Sequence, residues 1–230
     1  MRHNHLRRGN TLFDSLMHVE LIGHMGDDNS ICQAARVSTG NDVKDYKESA
    51  GLINYLWREG HTSPFEHVTA TFRVEVPLFI ARQMMRHRTF SYNEISGRYS
   101  ELEPKFWLPD TNRPLENKGS GAYPDLQFHR NHDEVMDNTG LIIEHVSRRA
   151  LTEYKMLVED GVATEVARAI LPLNMYTSFY MTGNLKNYFD FIDKRIVQNA
   201  QEEIREVALA IGQHFDKIVP LAMTAWKENR

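Results

Sequence analysis

The sequence predicts a single α+β domain in which helices dominate, and three observations lead there. Residues 70–76 alternate, with Phe72, Val74 and Val76 set against Arg73 and Glu75, the pattern of a half-buried strand. Asp133 to Glu159 and Gln198 to Val219 read as long helices. No internal repeat and no Ser/Gly linker interrupts the 230 residues, so no boundary splits them into two domains.

In chain order, residues 1–12 carry Arg2, Arg7 and Arg8 without an apolar stretch and read as a loose tail, not a signal peptide. Leu16 to Gly26 reads as a strand around Val19, Leu21 and Ile22. Asn29 is placed to cap a short helix carrying Ile31, Ala34, Ala35 and Val37, with Ser38-Thr39-Gly40 ending it. Lys44 to Glu59 reads as a helix with Leu52, Ile53, Leu56 and Trp57 on one face and Gly60 as its stop. Pro77 suits a first helical position, and Leu78 to Arg88 has helical spacing with Leu78, Phe79, Ala81 and Met85 toward the core. Residues 104–131 hold Pro104, Pro109, Pro114 and Pro124 with Gly119 and Gly121, an irregular surface excursion or lid. Gly161 closes the helix that begins near Asp133. Thr164 starts another, Glu165 to Leu171, which ends near Pro172. Tyr176 to Met181 is aromatic and β-branched enough for a strand, and Asn184 to Asp193 is helical.

Composition narrows the function classes. Hydrophobic residues at 41% and charged residues at 25% are those of an ordinary globular protein. Lys+Arg 27 against Asp+Glu 31 gives −4, which disfavours a globally basic nucleic-acid binder and leaves room for a local basic patch. Cys32 is the one cysteine, so an intrachain disulfide and every Cys-rich zinc or iron–sulfur site are excluded. That usage suits a reducing cytoplasm, and a cytoplasmic location is the expectation. The best apolar run, Val207 to Ile211, falls far short of a membrane span.

Chemistry concentrates between residues 82 and 99. Arg82, Arg86, His87, Arg88 and Arg98 supply cations there, and Glu94 is the only acid. Helical spacing puts Gln83, Arg86 and His87 on one face. Ser91, Asn93, Ser96 and Gly97 then offer hydroxyls and backbone N–H groups. Arginine forks beside such donors are what a phosphate or another planar polyanion requires. By charge alone the segment reads as a solvated basic face. A rigid strand–Pro–helix scaffold and ligand-chelating loop polars weigh against that.

Arg86-His87-Arg88, seven intervening residues and Ser96 resemble the defining motif of the flavin-dependent thymidylate synthases. The extended form, Ser91-Tyr92-Asn93-Glu94 and Gly97-Arg98-Tyr99, matches as well. So do Ala34-Ala35-Arg36-Val37-Ser38, His61-Thr62-Ser63-Pro64-Phe65-Glu66-His67, Glu165-Val166-Ala167-Arg168 with Leu171-Pro172-Leu173-Asn174, and Asn184 to Arg195. The resemblance runs from about residue 18 to 225.

The resemblance implies a mixed sheet flanked by long helices. It also implies methylation of dUMP to dTMP, with methylenetetrahydrofolate as carbon donor and NADPH reducing a bound FAD. It implies a homotetramer with shared active sites, and no covalent protein nucleophile. Arg195 is then the catalytic residue beside pyrimidine N3 and O2, where a cation favours the deprotonated ring. The dUMP ligands implied are Gln83, Arg86, Glu94, Ser96, Gly97, Arg98, Arg168 and Arg195. The FAD ligands implied are Ser63, Arg86, His87, Arg88, Glu94, Asn184, Lys186 and Asp190, with His61 and Ser38 as weaker candidates. Three positions depart from the family pattern. Lys186 stands where arginine is frequent and loses the planar fork. Ser63 replaces a common threonine, and Asp190 brings an acid where Asn or His is usual.

Plainer readings stand beside these. Cys32 sits in an apolar helical setting with no visible source of a low pKa, which suits a structural thiol. Arg195 is placed for a salt bridge with Asp193, Glu202 or Glu203. Ser96 lacks a base–orienter pair and is not a nucleophile. His129, His132 and Asp133 suggest a metal phosphohydrolase, but two histidines are a weak metal signal, and a polar loop entering a helix explains them. His61 and His67 suit no standard zinc motif, and no metal is expected. Arg86, Arg88 and Arg98 interleave with Phe90, Tyr92 and Tyr99 as in single-strand nucleic-acid grooves. The net charge and the lack of a second basic stripe argue against that partner.

Overall fold

In the computed structural model, residues 12–37, 46–98, 101–102, 104–121 and 123–230 are described, the side chains of residues 46–48 excepted. The expected α+β class with dominant helices holds. The chain forms two compact units. One takes the segment ending at Leu16, Glu75–Arg82 and Glu94–Ser178; the other takes Met17–Val74, Gln83–Asn93 and Phe179–Arg230.

The second of these is built on a four-stranded sheet of order β2-β3-β8-β4, from His18–Met25, Thr69–Pro77, Tyr176–Asn184 and Ser91–Glu94. The unit boundaries fall inside β3, β4 and β8. The alternation read at 70–76 is the burial pattern of β3, with Phe72, Val74 and Val76 fully buried. The strand read around Val19, Leu21 and Ile22 is β2, an edge strand, on which Ile22 is 44% exposed. Five helices complete the unit: α1 (Asp28–Arg36), α2 (Tyr46–Arg58), α6 (Leu185–Arg195), α7 (Glu202–Ile218) and α8 (Pro220–Glu228). Their core is aromatic. Phe72 meets Tyr188 and Phe215 edge to face, Trp57 sits against Phe65 and Phe189, and Phe189 stacks on Trp226. The buried Tyr188 hydroxyl lies 2.8 Å from Met181 O, so its polar end is satisfied.

Asp27, not Asn29, caps α1. Its carboxylate accepts from Ser30 N at 2.9 Å, and the Ser30 hydroxyl accepts from Asp27 N in return, a capping box. The expected Ser38-Thr39-Gly40 stop, residues 1–11 of the expected tail, and the start of the helix read from Lys44 lie outside the described residues. Leu12 itself is held, its carbonyl accepting from Phe106 N at 2.8 Å. Asp28 accepts from Leu221 N and Ala222 N, both at 2.9 Å, and so caps α8 as well.

The other unit is organised by α4 (His132–Glu159), close to the helix read from Asp133 and about 42 Å long. Met136, Gly140, Ser147 and Tyr154 face inward along it, and Gly161 follows at φ 82°. β1 (Phe13–Asp14) pairs parallel with β5 (Phe106–Trp107). The stretch 104–131 is less irregular than its prolines suggest. It contains β5 and an antiparallel hairpin of β6 (Glu116–Asn117) and β7 (Leu126–Gln127), whose turn is held by Asn117 Oδ1 accepting from Gly119 N and Asp125 N. The segment read as Glu165 to Leu171 is α5 (Thr164–Ala167) continued by a 3-10 turn, Arg168–Ile170.

Candidate active site

α3 (Leu78–Met84) is shorter than the spacing predicts, and Pro77 closes β3 instead of opening the helix. Its buried positions are Ile80, Ala81 and Met84, not Leu78, Phe79 and Met85. The chain turns after Met84, so Arg86 and His87 do not share a helix face with Gln83. A tight turn carries them instead. His87 N donates to Met84 O at 3.0 Å, and the Tyr92 hydroxyl lies 2.9 Å from Met84 O and 3.1 Å from His87 O. Phe90 closes the turn from below, 7% exposed. Gly183 on β8 makes room for it, since a Cβ there would meet the Phe90 ring at 2.4 Å. Burial pushes the Tyr92 hydroxyl pKa up to about 12, so it stays a donor.

That turn and α6 form a cleft of about 520 Å³, within the usual ~300–1,000 Å³ of small-ligand sites. Its lining is Arg86, His87, Arg88, Thr89, Asn187, Asp190, Lys194 and Arg195. Four of these are cations and one is an acid. Asp190 forms an ion pair with Lys186 one turn back on α6, so the acid that departs from the family pattern is matched by the lysine that also departs.

Arg195 is held by two neutral acceptors. Its Nε–H donates to His87 Nε2 at 2.9 Å, and Nη2 donates to Gln83 O at 3.1 Å. The salt bridge considered from sequence does not form with Asp193, whose Oδ2 accepts from Trp226 Nε1 and whose Oδ1 pairs with Arg230. Burial, then the Arg86 charge, push the Arg195 pKa below its ordinary value, yet an arginine keeps its proton throughout the accessible range. Burial is also the first cause at His87, followed by the charges of Arg195, Lys194 and Arg86. Together they push its pKa down to about 4, so the imidazole is neutral at pH 7.

The remaining sequence-predicted residues divide by unit. Gln83 Nε2 donates to Gln201 Oε1 at 2.6 Å in the same unit as the cleft. Asn184 caps α6, its Oδ1 accepting from Asn187 N, and its amide reaches Glu66 at 3.4 Å. Ser63 and His61 are exposed at the 3-10 turn Ser63–His67, which packs on α6. Glu94, Ser96, Gly97, Arg98 and Arg168 belong to the other unit. There, Thr177 Oγ1 donates to Glu94 Oε1 at 2.6 Å, Ser96 Oγ accepts from Arg98 N, and Arg98 Nε pairs with Glu165 at 3.3 Å. Gly97 is buried against Leu102, and Arg168 opens the 3-10 turn after α5. Ser38 and Tyr99 lie outside the described residues. Sequence reasoning missed Tyr92 as a clamp on the turn, Thr177 as the partner of Glu94, and Gly183. The β8 strand was read from its aromatic and β-branched content, which says nothing of the partners its polar atoms meet.

His132 Nε2 lies 2.9 Å from the Thr111 carbonyl, and His129 Nδ1 accepts from Asn131 N. Among the described residues no group of three His, Cys, Asp or Glu is placed to hold a metal. No described helix is long and apolar enough to cross a membrane. Cys32 is fully buried, and burial pushes its thiol pKa up.

The cleft suits a flavin nucleotide by the chemistry of its donors. Arg86, Arg88, Lys194 and Arg195 can meet a diphosphate or the acceptor edge of an isoalloxazine ring, and neutral His87 adds no repulsion toward either cation or anion.

Residues 20–221 match the family model described as "Thymidylate synthase complementing protein". The flavin-dependent thymidylate synthase of Thermus thermophilus is 44% identical over 92% of this chain and 76% of that protein. That of Thermotoga neapolitana is 42% identical over 90% and 89%. A crystal structure of the UMP/dUMP methylase PolB from Streptomyces cacaoi, bound with 5-Br UMP, superposes with a TM-score of 0.86 at 32% identity, covering 94% of this chain and 96% of that one. The fold, the ordered motifs and these relatives together place the chain in the flavin-dependent thymidylate synthase family, as an enzyme of that family.

Proposed function

We propose that the protein methylates dUMP to dTMP, with methylenetetrahydrofolate as carbon donor and NADPH as reductant of a bound FAD. The observation that carries the reading is Arg195, half-buried in a cationic cleft and held by neutral acceptors so that its charge is not cancelled. Pyrimidine C5 is a poor nucleophile, and the ring must gain electron density before it attacks. A cation at N3 and O2 favours the N3-deprotonated ring and stabilises charge that builds as C5 attacks. Cys32, fully buried with a raised pKa, offers no thiolate for attack at C6. When bound and reduced, the flavin supplies the hydride and takes part in methylene transfer.

Gln83, Arg86, Glu94, Ser96, Gly97, Arg98, Arg168 and Arg195 are the proposed dUMP ligands. Arg98 serves the phosphate side, where the backbone at Gly97 and the Ser96 hydroxyl add neutral contacts. Ser63, Arg86, His87, Arg88, Glu94, Asn184, Lys186 and Asp190 are the proposed flavin ligands. Arg86 and Arg88 bring positive charge to the cleft and have no ion pair among the described residues, whereas Lys186 arrives matched by Asp190. The relatives at 42–44% identity are thymidylate synthases, which favours dUMP over UMP as the nucleotide.

A homotetramer with shared sites, and a cytoplasmic location, belong to the same reading. Assembly is supported by Leu141, Ile142, Val146 and Met156, all more than half exposed on α4 beside an apolar groove of about 550 Å³. One experiment tests the reaction. The purified protein is examined for flavin absorbance. Release of label from the 5-position of dUMP is then measured with NADPH and methylenetetrahydrofolate, with UMP in parallel. Release from dUMP is expected; folded protein supplied with FAD that releases none sinks the proposal.

A further inference from the structure

We propose that His87 is a positioning residue for Arg195: its unprotonated Nε2 accepts from Arg195 Nε and fixes the guanidinium plane, and protonation of His87 releases that plane. The inference rests on the role given to Arg195 above. Two acceptors grip one guanidinium, His87 Nε2 on Nε at 2.9 Å and Gln83 O on Nη2 at 3.1 Å. A planar fork held at two of its nitrogens has one orientation, and three of its five N–H donors remain for a ligand. Both acceptors are neutral, so the arginine keeps its whole charge, which a carboxylate in either place would cancel.

His87 is itself held in place. Its ring packs edge to face on Phe191, with centroids 4.9 Å apart, and its backbone is tied to Met84 and Tyr92. Accepting at Nε2 requires the tautomer with the proton on Nδ1. An imidazolium has no acceptor at all, so protonation replaces the hydrogen bond by repulsion. The charged groups that face His87 are Arg86 from its own turn and Lys194 and Arg195 from α6. Asp190, the acid on the cleft wall, is occupied by Lys186. Every uncompensated charge around the ring therefore favours the neutral form, and the bond persists at neutral pH.

The test separates this from a merely structural histidine. His87→Gln keeps an acceptor that cannot titrate, and His87→Leu keeps none. With FAD saturating, and its affinity measured for each variant, His87→Leu is expected to lower kcat by about 10- to 100-fold, with a much smaller change in the KM for dUMP. His87→Gln is expected to restore most of the turnover. Its ratio to wild type is expected to rise as pH falls from 6.5 toward 4, where other titrations cancel. A ratio that stays flat, or a His87→Leu enzyme as fast as wild type, overturns the proposal. A second readout needs no turnover and no flavin. In ¹⁵N-histidine-labelled protein, the His87 Nε2 is expected without a proton at pH 7, and Arg195→Gln is expected to move the His87 titration up. A protonated Nε2 at pH 7, or an unmoved titration, overturns the assignment. If wild type forms no dTMP, the functional reading fails and the nitrogen spectrum still decides the hydrogen bond. If His87→Leu does not fold, the Gln variant and the spectrum carry the test.

Discussion

Arg195 and Arg98 bring the same guanidinium into two different settings. Arg195 is half-buried, and its partners are an imidazole nitrogen and a backbone carbonyl. Arg98 is half-exposed and pairs with Glu165, a carboxylate exposed to the same degree. The first arrangement leaves a charge uncompensated where solvent is scarce, which costs stability and makes sense only if a ligand supplies the missing anion or electron density. The second costs almost nothing and gives almost nothing, because an exposed ion pair is screened by water and salt. A buried cation given neutral partners is thus a sharper pointer to chemistry than a cation in a basic run.

The contrast can be broken by measurement. Arg195→Ala is expected to cost the most, about 10²- to 10³-fold in the rate of label release from dUMP, because it removes a group that meets charge as it develops. A loss smaller than tenfold would mean the ring is activated elsewhere. Arg98→Ala is expected to act on binding instead, raising the KM for dUMP by about 10-fold, the scale of one charge-assisted hydrogen bond, with kcat nearly kept. Glu165→Gln removes the exposed ion pair between Glu165 and Arg98. It is expected to change unfolding free energy by less than about 1 kcal/mol in urea titrations, as exposed pairs do. Cys32→Ala is expected to leave label release unchanged. Loss of turnover in a stable Cys32→Ala protein would restore a thiol mechanism.

Acid sensitivity sharpens the same comparison. The folded-state pKa of His87 is pushed down to about 4 from an ordinary 6.5. Between those values the unfolded chain binds a proton that the folded chain refuses, so stability falls as pH falls through that window and is unaffected by His87 above it. The urea midpoint of wild type should fall relative to that of His87→Gln as the pH is lowered from 6.5 toward 4. Parallel curves would mean that His87 titrates normally.

How much of this was legible follows from what each signal measures. Alternation gave β3, and the uninterrupted pattern from Asp133 gave α4 almost to its ends, because burial on one face leaves a periodic trace. The end of α3 left no such trace. Residues 85–88 keep helical spacing, but hydrogen bonds to Tyr92 from 5 to 8 residues away redirect the backbone. The cap of α1 was missed by two residues because Asp27, Asp28, Asn29 and Ser30 are all competent caps, and only the fold decides among them. The helix read from Gln198 to Val219 ends where α7 does, but α8 beyond it was not read, although Pro220 marks its first turn. At the site, the motif residues were readable by type. That His87 accepts from Arg195, over 108 positions, was not. Partners so far apart in sequence are chosen by packing, and no local pattern encodes them.

The carboxylate of Asp28 receives the amides of Leu221 and Ala222, 193 and 194 positions away. During synthesis the acid on the first helix of that unit therefore waits for 193 further residues before it meets these donors. A chain cut before Pro220 leaves the Asp28 carboxylate without these amides and α1 without the helix that packs on it, an opening that chaperones and proteases act on.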